Sequence, residues 1–280
     1  MTTGLDQYTI IKANGKREVF EPEKLQSSLM RSGASDEAID DVMRKVEHEL
    51  HHDMTTAEIY SHAFDYLHSW KKPIAYRYSL RRAIMDLGPS GFPFEDFVAE
   101  IMKAQGYETK TRQTVLGGCV PHEVDVVAWN EKKLMMIEAK FHNELGIKSD
   151  LKVVLYVKAR LDDLKENVFN YGGFDRKLDE GWLVTNTKFS STAVHYGVCQ
   201  NLVMIGWNYP EKGNLQDMII EHGLHPVTCL STLSEDEKRQ ILASGTVLCN
   251  MIKKDPTILE TIIGAGEAKI SKVLAEINEL

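Results

Sequence analysis

The chain has 280 residues, 43% of them apolar and 26% charged, with a formal net charge of −8. This composition suits a globular chain of two or three small domains, and the negative charge excludes a protein that coats nucleic acid by bulk electrostatics. No apolar run reaches membrane-spanning length, MTTGLDQ lacks the regions of a signal peptide, and Cys119, Cys199, Cys229 and Cys249 form no CxxC pair, so a cytoplasmic chain with reduced thiols and no membrane partner is expected.

In chain order, residues 8–20 (YTIIKANGKREVF) read as a short β-hairpin whose Asn14-Gly15 pair supplies the positive φ of a tight turn. EPEKLQSSLMRSG, DEAIDDVMRKVEHEL, TTAEIYSHAFDYLHSW and IAYRYSLRRAIMDL then repeat apolar residues at helical spacing, with Thr55 or Thr56 as N-cap. Gly88-Pro-Ser-Gly91 punctuates the chain and closes a first domain, residues 1–88. Residues 89–225 alternate: a helix (FEDFVAEIMKAQG), a hairpin (HEVDVVAWNEKKLMMIEAKF), a helix within SDLKVVLYVKARLDDLKENV, and strands in GWLVTNT and LVMIGW. This is an α/β pattern, a mixed sheet flanked by helices. Residues 226–280 are helical again, broken by Gly and Pro. The three segments carry net charges of about −2, −4 and −2, so none is a basic tail and any DNA contact must come from placed groups.

The central hairpin buries charges in otherwise apolar strands. An unpartnered buried carboxylate costs several kcal/mol, so Asp125, Glu138 and Lys140 need a reason to be there. A four-residue NEKK turn centred on Glu131-Lys132 sets Asp125 opposite Glu138. Opposed Cβ atoms lie roughly 5 Å apart, and two carboxylates at that spacing call for a cation between them. Mg²⁺ or Mn²⁺, hard ions that prefer oxygen, meets that need. Lys140, two residues beyond Glu138, points into the same space and can position a water and stabilise charge developing on a phosphate.

These residues resemble the PD-(D/E)xK nuclease superfamily in its Mrr-related, restriction-endonuclease-like branch. The resemblance runs from GFPFEDFVAEIMKAQGYE through VDVVAW and IEAKF to GWLVTNTKFSSTAVHYG, roughly residues 92–210, with Val124 where the family often has proline. It implies Asp125, Glu138 and the Ala139 carbonyl as metal ligands, Lys140 as the catalytic lysine and Glu95 as an auxiliary acid. His122, His142 and Tyr171 are expected to be ordinary polar neighbours, and His51-His52-Asp53 an exposed loop.

The first domain resembles the ATP-cone, the regulatory module of ribonucleotide reductases. Of that family's turn motif Lys12 and Gly15 keep their residue types while Ala13 and Asn14 depart; Lys24 matches its EK pair, and Thr56 and Tyr60 fall on the helix that lines its nucleotide pocket. The resemblance implies ATP or dATP as regulatory ligand, since lysines converging from a turn and a helix start suit a triphosphate. The tail, IIGAGEAKISKVL, looks like half of a helix-hairpin-helix, with Gly264, Gly266 and Lys269 at a DNA phosphate.

The expected function is therefore a nucleotide-regulated, divalent-metal-dependent DNA endonuclease of prokaryotic restriction or defence, working as a homo-oligomer, dimer or tetramer. Two alternatives stand beside it. One is a non-catalytic, nucleotide-responsive DNA-binding regulator on a nuclease-like scaffold; the other is a nuclease subunit that recognises branched or damaged DNA.

Overall fold

In the computed structural model the described residues are 8–12, 15–144 and 146–280. Ala13 and Asn14, two of the expected turn residues, lie outside them. The chain divides into two units, Met1–Leu80 with Asn278–Leu280, and Arg81–Ile277.

The first unit begins with β1 (Thr9–Ile11) and β2 (Arg17–Val19), an antiparallel pair. Then come α1 (Pro22–Arg31), α2 (Asp36–Glu49), β3 (Met54–Thr55), α3 (Thr56–Trp70) and α4 (Lys72–Met85), within which the boundary falls. β3 joins β1 in parallel and completes a three-stranded sheet. The helices start where capping predicts: Ser35 accepts the Ala38 N–H, and Thr55 forms a reciprocal capping box with Glu58. Their apolar stripes close a core around Leu25, Leu29, Val42, Val46, Ala63 and Leu67.

In the second unit α5 (Phe92–Ala104) precedes β4 (Glu108–Leu116), β5 (Pro121–Trp129) and β6 (Leu134–Lys140). After β7 (Lys148–Ser149) and α6 (Leu151–Leu164) come β8 (Phe169–Tyr171), β9 (Phe174–Arg176), β10 (Glu180–Thr185), β11 (Lys188–Phe189), α7 (Ser191–Cys199) and β12 (Val203–Ile205). The main sheet has the order β12-β10-β6-β5-β4. Its β4-β5-β6 part is antiparallel and its β6-β10-β12 part parallel. A parallel neighbour needs a crossover, and α6 and α7 supply the two. Gly181 on β10 is what lets α6 come close, because a Cβ there would meet Leu161 Cδ1 at 2.2 Å. Through Leu161 and Leu164, α6 seals the sheet face that carries Val127, Trp129, Leu134 and Met136. From α5, Phe94 packs on Phe141 with ring centres 5.5 Å apart.

Five further α-helices follow: α8 (Leu215–His222), α9 (Glu235–Ala243), α10 (Cys249–Lys254), α11 (Thr257–Ile263) and α12 (Glu267–Glu279). Residues 226–277 belong to the same unit as the sheet. The buried Glu276 fixes α12 by accepting the N–H groups of Ser231 and Thr232 at 2.6 and 3.0 Å. Among the described residues no helix is long and apolar enough to cross a membrane.

Candidate functional site

The β5–β6 ladder runs from Trp129↔Leu134 to Val126↔Ile137 and stops there. The next opposed pair in that register is Asp125 and Glu138. The strands part at this point, and Asp125 covers the Ala139 N–H with its side chain, Oδ2 accepting at 2.7 Å. Ala139 and Lys140 remain paired on their other side with Val184 and Thr185 of β10. Burial, followed by repulsion from Asp125, pushes the Glu138 carboxyl well above the usual range; burial also raises Asp125. Lys140 is close enough to oppose both shifts. Glu95, at the start of α5, belongs to the same field, raised first by burial and then by the Asp125 charge. Glu95, Asp125, Glu138 and Lys140 therefore share one electrostatic field, and the Ala139 backbone is bonded into it through Asp125.

Two arginines absent from the sequence reading complete the cluster. On β4, Arg112 bonds Glu95 at 3.3 Å and Asp96 at 2.9 Å. Its φ of 54° is uncommon for a non-glycine residue inside a strand, and it lies between the ladder pairs Thr111↔Val126 and Gln113↔Val124, across from Asp125. On α6, Arg160 donates from Nη1 to Glu138 Oε2 at 2.5 Å. The one available signal was an arginine on the buried stripe of VVLYVKARL, a position that requires a carboxylate partner.

Two polar networks hold the surrounding backbone. Asn186, fully buried, accepts the His142 N–H and donates to the His142 carbonyl, both at 2.9 Å, and His142 Nε2 meets Ser149 Oγ at 2.9 Å. Burial and Lys140 lower the His142 pKa. Asn186→Leu should orphan two peptide groups two residues from Lys140 and destabilise the protein by roughly 2–4 kcal/mol, read by denaturant unfolding.

Asp163 of α6 clasps the β4–β5 turn, accepting from Cys119 N at 2.8 Å and Val120 N at 3.3 Å and pairing with His122 Nε2 at 2.8 Å. Hydrogen bonds from His122 and Cys119 lower its carboxyl to about 2. A depressed carboxylate stabilises the fold above its unfolded pKa of about 4 and loses that contribution as pH falls towards the folded value. The Tm difference between wild type and Asp163→Asn should therefore be largest at neutral pH and close between about pH 4 and 2, measured by thermal melts across that range.

In the first unit an open cleft of about 210 Å³ is lined by Lys12, Lys24, Thr56 and Tyr60, together with Glu21 and Tyr78. Tyr60 stacks on Tyr78 with centroids 5.1 Å apart. Lys12 pairs with Glu18 at 3.5 Å and Lys24 with Glu21 at 2.7 Å, and the Glu21 hydrogen bond raises the Lys24 pKa. Gly15 is at φ 77°, and its N–H reaches the Lys12 carbonyl at 2.9 Å. In the tail, Gly264 ends α11 in the left-handed region at φ 64°, and the Gly266 carbonyl opens α12 by accepting the Lys269 N–H. The Lys269 ammonium is engaged by Glu237 of α9.

Among the described residues no three His, Cys, Asp or Glu side chains form a metal cluster. The donors that fit a hard divalent ion are two carboxylates, on Asp125 and Glu138, and the Ala139 carbonyl. Their mutual repulsion is the demand such an ion would meet.

Comparison with known proteins matches residues 8–86 to the ATP cone domain, 88–206 to a restriction endonuclease domain, and 225–280 to the AF1548-like, C-terminal domain. An uncharacterized protein of Archaeoglobus fulgidus is 32% identical over 176 residues, covering 63% of this chain and 89% of that one. The crystal structure of the protein of unknown function AF1548 aligns with a TM-score of 0.56 at 32% identity, over 68% of this chain and 97% of that one. The MspJI restriction endonuclease in complex with a 27-mer oligonucleotide aligns at a TM-score of 0.29 and 13% identity over 81% and 44%, a likeness too slight to carry an argument. The chain belongs to the AF1548-like family, with an ATP cone domain and a restriction endonuclease domain preceding the AF1548-like C-terminal domain.

Proposed function

We propose that this protein is a divalent-metal-dependent endodeoxyribonuclease, of prokaryotic restriction or defence, whose activity or assembly is set by ATP or dATP. The observation that carries the reading is the opposition of Asp125 and Glu138 where β5 and β6 part, with Lys140 on the same face. A scaffold gains nothing from facing two half-buried carboxylates.

Asp125, Glu138 and the Ala139 carbonyl would hold Mg²⁺ or Mn²⁺. When bound, such an ion lowers the pKa of water and neutralises phosphate charge. Lys140 orients the attacking water and donates to the phosphate oxygen that gains charge. Glu95, raised by burial, is the auxiliary acid able to hold a proton beside Asp125. The nucleotide phosphates would be taken by Lys12 and Lys24, with Gly15 shaping the turn and Thr56 and Tyr60 lining the cleft. Gly264, Gly266 and Lys269 would meet a DNA phosphate once Lys269 leaves Glu237. A homo-oligomer, dimer or tetramer, would bring two cutting sites together and give the nucleotide an assembly to control.

One observation favours a non-catalytic, nucleotide-responsive DNA-binding regulator. Arg160 already answers the charge on Glu138. Mg²⁺-dependent cleavage of plasmid, linear and single-stranded DNA, with and without ATP and dATP, separates the two. Hydrolysis that requires the ion supports the enzyme, and DNA binding without hydrolysis supports the regulator.

A further inference from the structure

The site carries the same three-part arrangement at two places. Phe92 is 58% exposed, the Arg112 guanidinium lies over its ring at 5.7 Å, and Arg112 bonds Glu95 and Asp96. Tyr156 is 62% exposed, the Arg160 guanidinium lies over its ring at 5.4 Å, and Arg160 bonds Glu138. One set comes from α5 and β4, the other from α6, and both end on carboxylates of the Asp125 cluster.

Each of these two rings is held by a cation that is itself held by acids of the site. Because carboxylates answer each guanidinium, what the sets offer outward is a flat π surface rather than unpaired positive charge. That is the wrong equipment for a duplex, which is gripped through its phosphates and keeps the faces of its bases in its own stack. It suits an unpaired strand, whose bases turn their faces to aromatic side chains.

We propose that Phe92 and Tyr156 are stacking platforms for bases on either side of the cleaved bond, and that the cleft takes unpaired DNA in preference to duplex. The assignment rests on the reading of Asp125, Glu138 and Lys140 as a nuclease site.

The test uses the full chain, a fluorescein-labelled single-stranded 16-mer and the same oligonucleotide in duplex. Binding is followed by anisotropy with Ca²⁺ in place of Mg²⁺, for wild type, Phe92→Leu, Tyr156→Leu, the double variant and Tyr156→Phe. Leucine keeps apolar bulk and removes the π face, whereas phenylalanine keeps the face and removes only the hydroxyl. The single strand should bind about tenfold more tightly than the duplex, and each leucine should weaken strand binding on the order of tenfold while moving duplex binding less than about twofold. Tyr156→Phe should match wild type. Equal affinity for strand and duplex, leucine variants that bind as wild type does, or no binding by either probe each overturns the proposal. Mg²⁺-dependent cleavage of the same probes keeps the two readings apart. Cleavage of the single strand that is indifferent to both leucines removes the platforms and leaves the nuclease site, whereas the expected binding pattern without cleavage keeps Phe92 and Tyr156 as strand-stacking residues and removes the nuclease reading together with the cleaved bond between them.

Discussion

Alanine at Asp125 or Glu138 should abolish Mn²⁺ binding and DNA hydrolysis together, whereas alanine at Lys140 should cut hydrolysis by about 10²–10³-fold and leave most of the Mn²⁺ affinity in place. The separation follows from charge. Burial of both carboxylates, and repulsion of Glu138 by Asp125, call for a cation, so on the proposed reading removing either would take away both a ligand and the reason for an ion to stay. The loss should exceed the roughly 10–100-fold that changes in outer-shell partners alone produce. Lys140 is itself cationic and opposes the ion on electrostatic grounds, so its removal cannot weaken metal binding by loss of attraction. On the proposed reading, what it would take away is the donor aimed at charge that appears only during reaction. Calorimetry with Mn²⁺ beside a cleavage time course measures both quantities, and a circular dichroism melt checks that each variant is folded. Undiminished hydrolysis by Lys140→Ala would refute the role given to the lysine, and full Mn²⁺ affinity in both carboxylate variants would refute the site.

The parts of this arrangement that sequence made legible are those governed by local rules. The NEKK turn fixes the register of β5 on β6, and a shift of one residue would have put Asp125 and Glu138 on opposite faces. The first unit's helices could be read because apolar spacing and caps such as Thr55 with Glu58 agree. The edge strand β4 carries no such signal. ETKTRQTVL buries a single residue, Val115, because only one side of the strand has a neighbour, so no apolar alternation marks it. With β4 went Arg112, which reaches Glu95 across 17 positions. Arg160 was hidden for another reason: its partner is 22 residues away, and the contact exists only because α6 crosses over the sheet between β6 and β10. Short elements such as α8 and the β8–β9 pair carry too few residues for a period to emerge. Nothing in IIGAGEAKISKVL reveals that Glu237, more than thirty residues earlier, claims the Lys269 ammonium.

Lys12→Ala and Lys24→Ala should each weaken ATP binding about tenfold, the size of one lost charge-assisted hydrogen bond, and together about a hundredfold. Both lysines line the cleft, and each is held by a carboxylate, Glu18 for Lys12 and Glu21 for Lys24. A triphosphate has to win them from those partners. Glu21 also lines the cleft, where its charge repels phosphate, so Glu21→Gln should tighten binding while the lysine variants loosen it. That reversal of sign within one cleft is harder to obtain from general misfolding than any loss. Neither change should alter Mn²⁺ affinity at Asp125 and Glu138, because the two sets of residues belong to different units of the chain. Regulation is a further claim than binding, since a nucleotide shifts an equilibrium only by the difference in its affinity for two states. Light-scattering mass and DNA cleavage rate, followed across ATP and dATP titrations, test that difference directly. One of the two should change in wild type, and the midpoint of the change should move to higher nucleotide concentration in the lysine variants and to lower concentration in Glu21→Gln. If nucleotide binds and neither mass nor rate responds, the first unit is an accessory nucleotide site and the regulated-nuclease reading fails, whatever the fate of the catalytic prediction.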